Sequence, residues 1–177
     1  GERKDTHTLC KPPACVRDLS AVMDYAEDRW KHIGLFAVSI GAYFSLLAFE
    51  NRRVEQAWFL SPVVDMGVLI HSMMTWFDVT QERLEREQSI PTPMGQTLYW
   101  DYFCYVREHP IRRWSIPTEI LAGGQDTLCA PAVTAGFVER FSCRLRTVET
   151  AEHWFHTAED LSALKAWLRE TGGDFIR

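Results

Sequence analysis

Three residues of this 177-residue chain combine side chains suited to nucleophilic catalysis with a position suited to it: Ser39, Asp126 and His153. Each falls just after a stretch that reads as a parallel strand, and the carboxyl ends of parallel strands gather at one edge of a sheet. Side chains distant in the chain can therefore meet there. A serine hydroxyl is a poor nucleophile until an imidazole takes its proton, and the imidazole needs a carboxylate to fix its tautomer and stabilise its charge. His156 competes with His153 for the place of the base. His153 is preferred because it comes first after the last strand, whereas His156 sits beside a helix start, where the positive end of the dipole opposes its protonation. His7, His32, His71 and His109 lie in loops or in a long insertion and are read as surface or packing residues.

The elements that must hold these residues follow from the apolar pattern. Residues 33–48, IGLFAVSIGAYFSLLA, are two apolar runs joined at Ser39. The first reads as a buried strand (Ile33, Leu35, Phe36, Val38), the second as a helix over 41–49 packed back on the strand it left. Such a turn needs a small residue at Ala37 and aims one hydroxyl out of the end of the sheet. Before it, residues 1–14 read as a polar, proline-bearing loop, and 16–30 as an amphipathic helix with Leu19, Val22, Met23, Ala26 and Trp30 on its apolar face. After it, VEQAWFL at 54–60 is a second buried strand, and strand, helix, strand with short links is the unit of a parallel sheet. IPTEILA at 116–122 resumes the sheet and leads into the turn Gly123, Gly124, Gln125, Asp126. A helix over 129–141, a last strand over 143–148 and a loop over 150–156 follow. Thr157 with Asp160 gives a capping-box start to a final helix, whose buried stripe is Leu161, Leu164, Trp167 and Leu168 and whose end is Gly172 and Gly173.

The fold class is thus α/β, a parallel sheet of about four strands with flanking helices. Residues 63–113 interrupt it. They are too many for an ordinary loop, carry helical periodicity in pieces and are rich in Met and aromatic side chains. They are expected to form a small helical cap over the strand ends, leaving an apolar crevice. The chain divides accordingly into 1–62, a first part of the core, 63–113, the cap, and 114–177, a second part of the core.

Composition narrows the function classes. Apolar residues make up 46% of the chain, a globular share. The net charge of −5 comes without a basic block or stripe, which argues against nucleic acid or an anionic membrane as the main partner. No apolar run is long enough to span a bilayer. The five cysteines lack metal-type spacing and read as reduced thiols of a cytoplasmic protein. The chain opens on GERKDTHT without an initiator Met, as a piece of a longer polypeptide would.

The turn at Ser39 resembles the nucleophile elbow of the α/β-hydrolase superfamily, Gly-x-Ser-x-Gly, with Ala37 in place of the first glycine. ILAGGQDTLCAP is similar to the acid-bearing turn of that superfamily, and VETAEHWFHTAEDLSALKAWL to its histidine loop and last helix. The order serine, acid, histidine is also the one it uses. The resemblance runs from residue 16 to residue 168, the C-terminal part of a hydrolase domain with the first strands missing. It implies that Ser39 is the nucleophile, Asp126 the acid and His153 the base. Asp65 is the rival acid, since some members carry it one strand earlier. It also implies an oxyanion hole with one donor at the backbone N–H of Ile40 and another from a loop after an early strand.

The implied activity is that of a serine hydrolase cleaving a carboxylic ester or related acyl compound through an acyl-enzyme, with neither metal nor organic cofactor. An acyltransferase or thioesterase would use the same triad, and a non-catalytic relative would keep the pocket for binding. A half sheet would leave an edge and an apolar face exposed, to be covered by a homodimer or by the remainder of a longer chain.

Overall fold

The computed structural model describes residues 10–176. His7 and the first nine residues of the expected N-terminal loop lie outside the described residues. The first helix, α1, spans Pro12–Glu27 and begins earlier than the periodicity predicts, because its prolines occupy the first turn, where no backbone N–H is needed. Met23 is buried and Leu19 and Ala26 pack against the core, but Val22 and Trp30 are exposed. Val22 lies on the flank of the helix, and Trp30 lies beyond its end.

Strand β1 (Gly34–Val38) turns at Ser39 into helix α2 (Ile40–Ala48), and β2 (Gln56–Leu60) follows in parallel. Between β2 and the next strand of the main sheet come α3 (Met66–Trp76), α4 (Gln81–Glu87), an antiparallel hairpin of β3 (Ser89–Pro91) and β4 (Thr97–Tyr99), and α5 (Trp100–Glu108). The hairpin was not visible in the sequence. Asp65 caps α3 by accepting from the Val68 amide at 3.0 Å, and Thr80 caps α4. Met66, Met73, Met74 and Phe103 of this segment share one buried cluster with Tyr43 and Phe44 of α2.

The sheet resumes with β5 (Thr118–Gly123), followed by α6 (Pro131–Phe141), β6 (Arg144–Val148) and α7 (Ala158–Thr171). The strands lie side by side in the order β1-β2-β5-β6, all parallel. Alternation along the strands sends Ala37, Ala57, Phe59 and Ile120 to one face, where α1, α2 and α6 cover them. The opposite face carries Trp58, Leu60 and Leu121 under Trp167 of α7. Thr157 and Asp160 form the full capping box, and hydrogen bonds from the Thr157 amide and hydroxyl hold the Asp160 carboxyl below its usual range. No helix among the described residues is long and apolar enough to cross a membrane.

One expectation for β1 is overturned. Phe36 and Val38 are 48% and 42% exposed, not buried. β1 is an edge of the described sheet, and α7 reaches over β2 and β5 without covering it. The expected open edge and apolar face are therefore present on this side of the molecule.

Two glycines fix how the loops after β5 and β6 meet. A Cβ on Gly123 would stand 2.3 Å from the Ala151 carbonyl oxygen, and one on Gly124 2.8 Å from the Glu149 backbone. The amides of Gly124 and Gln125 donate to the carbonyls of Val148 and Ala151, each at 2.9 Å. Backbone thus lies directly on backbone, with no room for a side chain.

Two stability measurements follow from this packing, both by denaturant unfolding. Gly123→Ala should lower the unfolding free energy by about 2 kcal/mol or more, because the clash is with backbone, whereas Gly136→Ala in α6, with open space around it, should leave stability unchanged or raised by up to about 1 kcal/mol. Phe59→Ala should cost about 3–5 kcal/mol and Phe36→Ala less than about 1. Equal costs for the two phenylalanines would show that the outer face of β1 is covered.

Candidate active site

Ser39 sits at the junction of β1 and α2 with φ 50° and ψ −122°. Few non-glycine residues occupy that region, and holding one there costs about 1–3 kcal/mol unless the surroundings enforce it. They do so here. The Ser39 amide donates to the Leu60 carbonyl at 3.0 Å, and its own carbonyl accepts from Val63 at 3.0 Å and Ala42 at 3.1 Å. The turn is thereby tied to the end of β2, and the side chain is left to face the loops beyond the sheet. Ala37, where the elbow pattern has its first glycine, is buried in the core, while a Cβ on Gly41 would meet nothing within 4 Å. Ile40 is the first residue of α2, so its N–H has no acceptor within the helix.

The three residues singled out in the sequence come together. Ser39 Oγ is 2.9 Å from His153 Nε2, and His153 Nδ1 is 2.8 Å from Asp126 Oδ2. A carboxylate only accepts, so Nδ1 carries the ring proton and Nε2 of the neutral imidazole is free to accept from the serine hydroxyl. Asp126 and His153 are 4% and 7% exposed, so the pair is screened little by solvent. Asp126 Oδ1 accepts from the amides of Leu128 at 2.9 Å and Cys129 at 2.7 Å, so both carboxylate oxygens are satisfied. The His153 and Trp154 rings meet nearly at right angles, with centroids 4.9 Å apart.

The rivals are engaged elsewhere. His156 Nδ1 donates to the Trp154 carbonyl at 2.6 Å, and its amide donates to Asp160. Asp65 is occupied as the cap of α3. His32 bonds Glu55, while His71 and His109 donate to carbonyls one turn back. Sequence reasoning did not find the Leu128 and Cys129 amides, nor the Gly123 and Gly124 contact. The signal for the glycine contact was present in the Gly-Gly pair itself.

The Cys129 thiol also belongs to this neighbourhood. Burial, and then the Asp126 carboxylate, push its pKa up to about 12, so it is a neutral thiol. One ligand atom each from Asp126, Cys129 and His153 lies within 4.8 Å of the others. Larger clefts flank α3. One of about 490 Å³ runs between α3, α5 and α6, lined in part by Tyr43, Asp65, Arg107 and Phe137. Another, of about 510 Å³, is lined by Asp65, His71, Thr75 and Trp76. Neither has Ser39 or His153 in its wall.

No protein-family model and no curated protein sequence matches the chain. Solved structures do. Alpha/beta hydrolase domain-containing protein 10 from mouse superposes with a TM-score of 0.76 at 16% identity, over 96% of this chain and 72% of that one. Est1E from Butyrivibrio proteoclasticus gives 0.71 at 20% identity, over 90% and 70%. The Pyrococcus furiosus esterase Pf2001 gives 0.61 at 18% identity, over 96% and 66%. With identities this low the likeness speaks for architecture alone, and the architecture is shared over nearly the whole chain: it has the α/β-hydrolase fold.

Proposed function

We propose that the chain is a serine hydrolase that cleaves a carboxylic ester or related acyl compound through an acyl-enzyme. The observation that carries this reading is the unbroken relay from Ser39 Oγ through His153 to Asp126, at 2.9 and 2.8 Å. In the first half-reaction Ser39 Oγ attacks the acyl carbon while its proton passes to Nε2 of His153. Asp126 stays ionised and stabilises the imidazolium through Nδ1. The Ile40 amide donates to the developing oxyanion. As the carbon–oxygen bond to the leaving group breaks, His153 returns the proton to that group. In the second half-reaction His153 takes a proton from water, which attacks the acyl carbon; as the carbon–oxygen bond to Ser39 breaks, His153 returns the proton to Oγ and the acid is released.

Residues 63–113 serve as the cap in this reading, and their Met and aromatic content suits a partly apolar acyl or aryl group. Est1E binds ferulic acid, an aromatic carboxylic acid of the class that such a reaction releases. The second oxyanion donor would come from the β1 side. Exposed Phe36 and Val38 beside an unpaired edge support a further strand there, from a longer polypeptide or a second copy. The free thiols of Cys10, Cys104, Cys129 and Cys143 fit a cytoplasmic protein. Acyl transfer to another acceptor, or thioester cleavage, would run on the same relay, and product analysis separates them.

A fluorophosphonate probe should add covalently to Ser39, as read by peptide mass spectrometry. Labelling that persists in Ser39→Ala would end the assignment. His153→Ala should lower kcat/KM for an aryl ester by about 10³-fold or more, and His156→Ala by less than about tenfold. The opposite ranking would move the role of the base to His156.

A further inference from the structure

We propose that Asp126, Cys129 and His153 form an inhibitory binding site for a thiophilic divalent cation, zinc foremost. The site lies on the far side of the imidazole from Ser39. Its three potential ligand atoms stand within 4.8 Å of one another. Three points so placed lie within roughly 2.8 Å of a common centre, whereas zinc takes oxygen and nitrogen at about 2.0–2.2 Å and thiolate sulfur at about 2.3 Å. Nδ1 of His153 and Oδ2 of Asp126, hydrogen-bonded at 2.8 Å, must part by about half an ångström to stand on one tetrahedral ion, a change that small side-chain rotations supply.

The donor set selects the metal. One thiolate, one imidazole and one carboxylate, with a fourth position left to water, is a combination that zinc accepts, while calcium and magnesium favour oxygen ligands throughout. Charge favours it too. A divalent cation with one thiolate and one carboxylate sums to zero, which suits a site whose Asp126 and His153 are almost fully enclosed. Position is also built in. Cys129 follows Asp126 by three residues, and its own amide is bonded to Oδ1 at 2.7 Å, which fixes the origin of the thiol beside the carboxylate.

Binding has a definite chemical consequence. The Cys129 S–H bond breaks as the metal–sulfur bond forms, and its proton leaves to solvent. His153 Nδ1 gives up its hydrogen bond to Asp126 and takes the metal, while the ring proton moves to Nε2. The imidazole stays neutral, but Nε2 now carries a hydrogen where it had accepted from Ser39 Oγ. Ser39 then has no base. This last consequence rests on the proposed function above; the binding itself does not.

Cobalt(II) serves as the spectroscopic probe. Stoichiometric Co²⁺ should give a near-ultraviolet sulfur-to-cobalt charge-transfer band in the wild-type protein and in Ser39→Ala, and Zn²⁺ should abolish it by displacement. The band should be absent in His153→Ala, in Cys129→Ala and in the near-isosteric Cys129→Ser, which covers the case where the alanine variant does not fold. Zn²⁺ should inhibit ester cleavage by the wild type reversibly, with recovery on chelation and no effect of Mg²⁺, and its affinity for Cys129→Ser should be lower by about 100-fold or more. No band in the wild type, or a band that persists in a folded Cys129 variant, overturns the site. Metal binding in a protein that neither cleaves esters nor labels at Ser39 would instead overturn the hydrolase reading and leave the site standing.

Discussion

The site depends on the meeting of the loop after β5 with the loop after β6, a contact made mostly by backbone, to which Gln125 Nε2 adds a hydrogen bond to the Glu149 carbonyl at 3.2 Å. Gly123 and Gly124 bring backbone onto backbone, and two amide hydrogen bonds hold it there. The relative placement of Asp126 and His153 is measured from that contact. Asp126 leaves one loop and His153 the other, and their 2.8 Å hydrogen bond exists only at this separation. A hydrogen bond weakens steeply once its geometry departs from the ideal, so the tolerance is a few tenths of an ångström. The parallel pairing of β5 with β6 sets the coarse register, and the glycines set the remainder.

Burial gives this contact its chemical weight. A carboxylate taken out of water is costly unless its oxygens are satisfied. Asp126 meets that condition with two amides on Oδ1 and the imidazole on Oδ2. The same arrangement forces the imidazole tautomer, since an acceptor-only partner leaves Nδ1 no role but donor. Nε2 is therefore presented to Ser39 as an acceptor by geometry that is already in place before any substrate arrives. The raised pKa of Cys129 follows from the same enclosure, which disfavours a second anion beside the first.

Much of this was legible in the sequence because the signals are local. A strand that ends in a tight turn, a polar residue just past it and a helix start behind it are all written within a few residues. Ser39, Asp126, His153 and the Thr157–Asp160 cap could be located that way. What escaped has non-local causes. The 89–99 hairpin is held together by only three pairs and sits among helices, so its alternation is too short to read. The exposure of Phe36 and Val38 was hidden for a different reason: their apolar pattern is that of a strand with neighbours on both sides, and burial depends on a neighbour that the pattern cannot supply. The prolines at the start of α1 misled in the opposite sense, as residues that break a helix in its interior but open one at its first turn.

The two sides of Ser39 are accordingly built to different degrees. Toward β5 and β6, Asp126 and His153 are enclosed and hydrogen-bonded. Toward β1 the surface is apolar and open, with Phe36, Val38 and Ile40 at 48%, 42% and 37% exposed on either side of Ser39 in the chain. A proton relay benefits from enclosure, because low polarisability around Asp126 and His153 strengthens their interaction. An acyl group benefits from an apolar wall, and an oxyanion needs a donor on the side away from the base. In the proposed reaction the Ile40 amide at the start of α2 is one donor, and the second would come from the β1 side. In the proposed hydrolase, activation of Ser39 would thus be local to the loops held by Gly123 and Gly124, whereas stabilisation of the transition state would be shared with the surface beside β1.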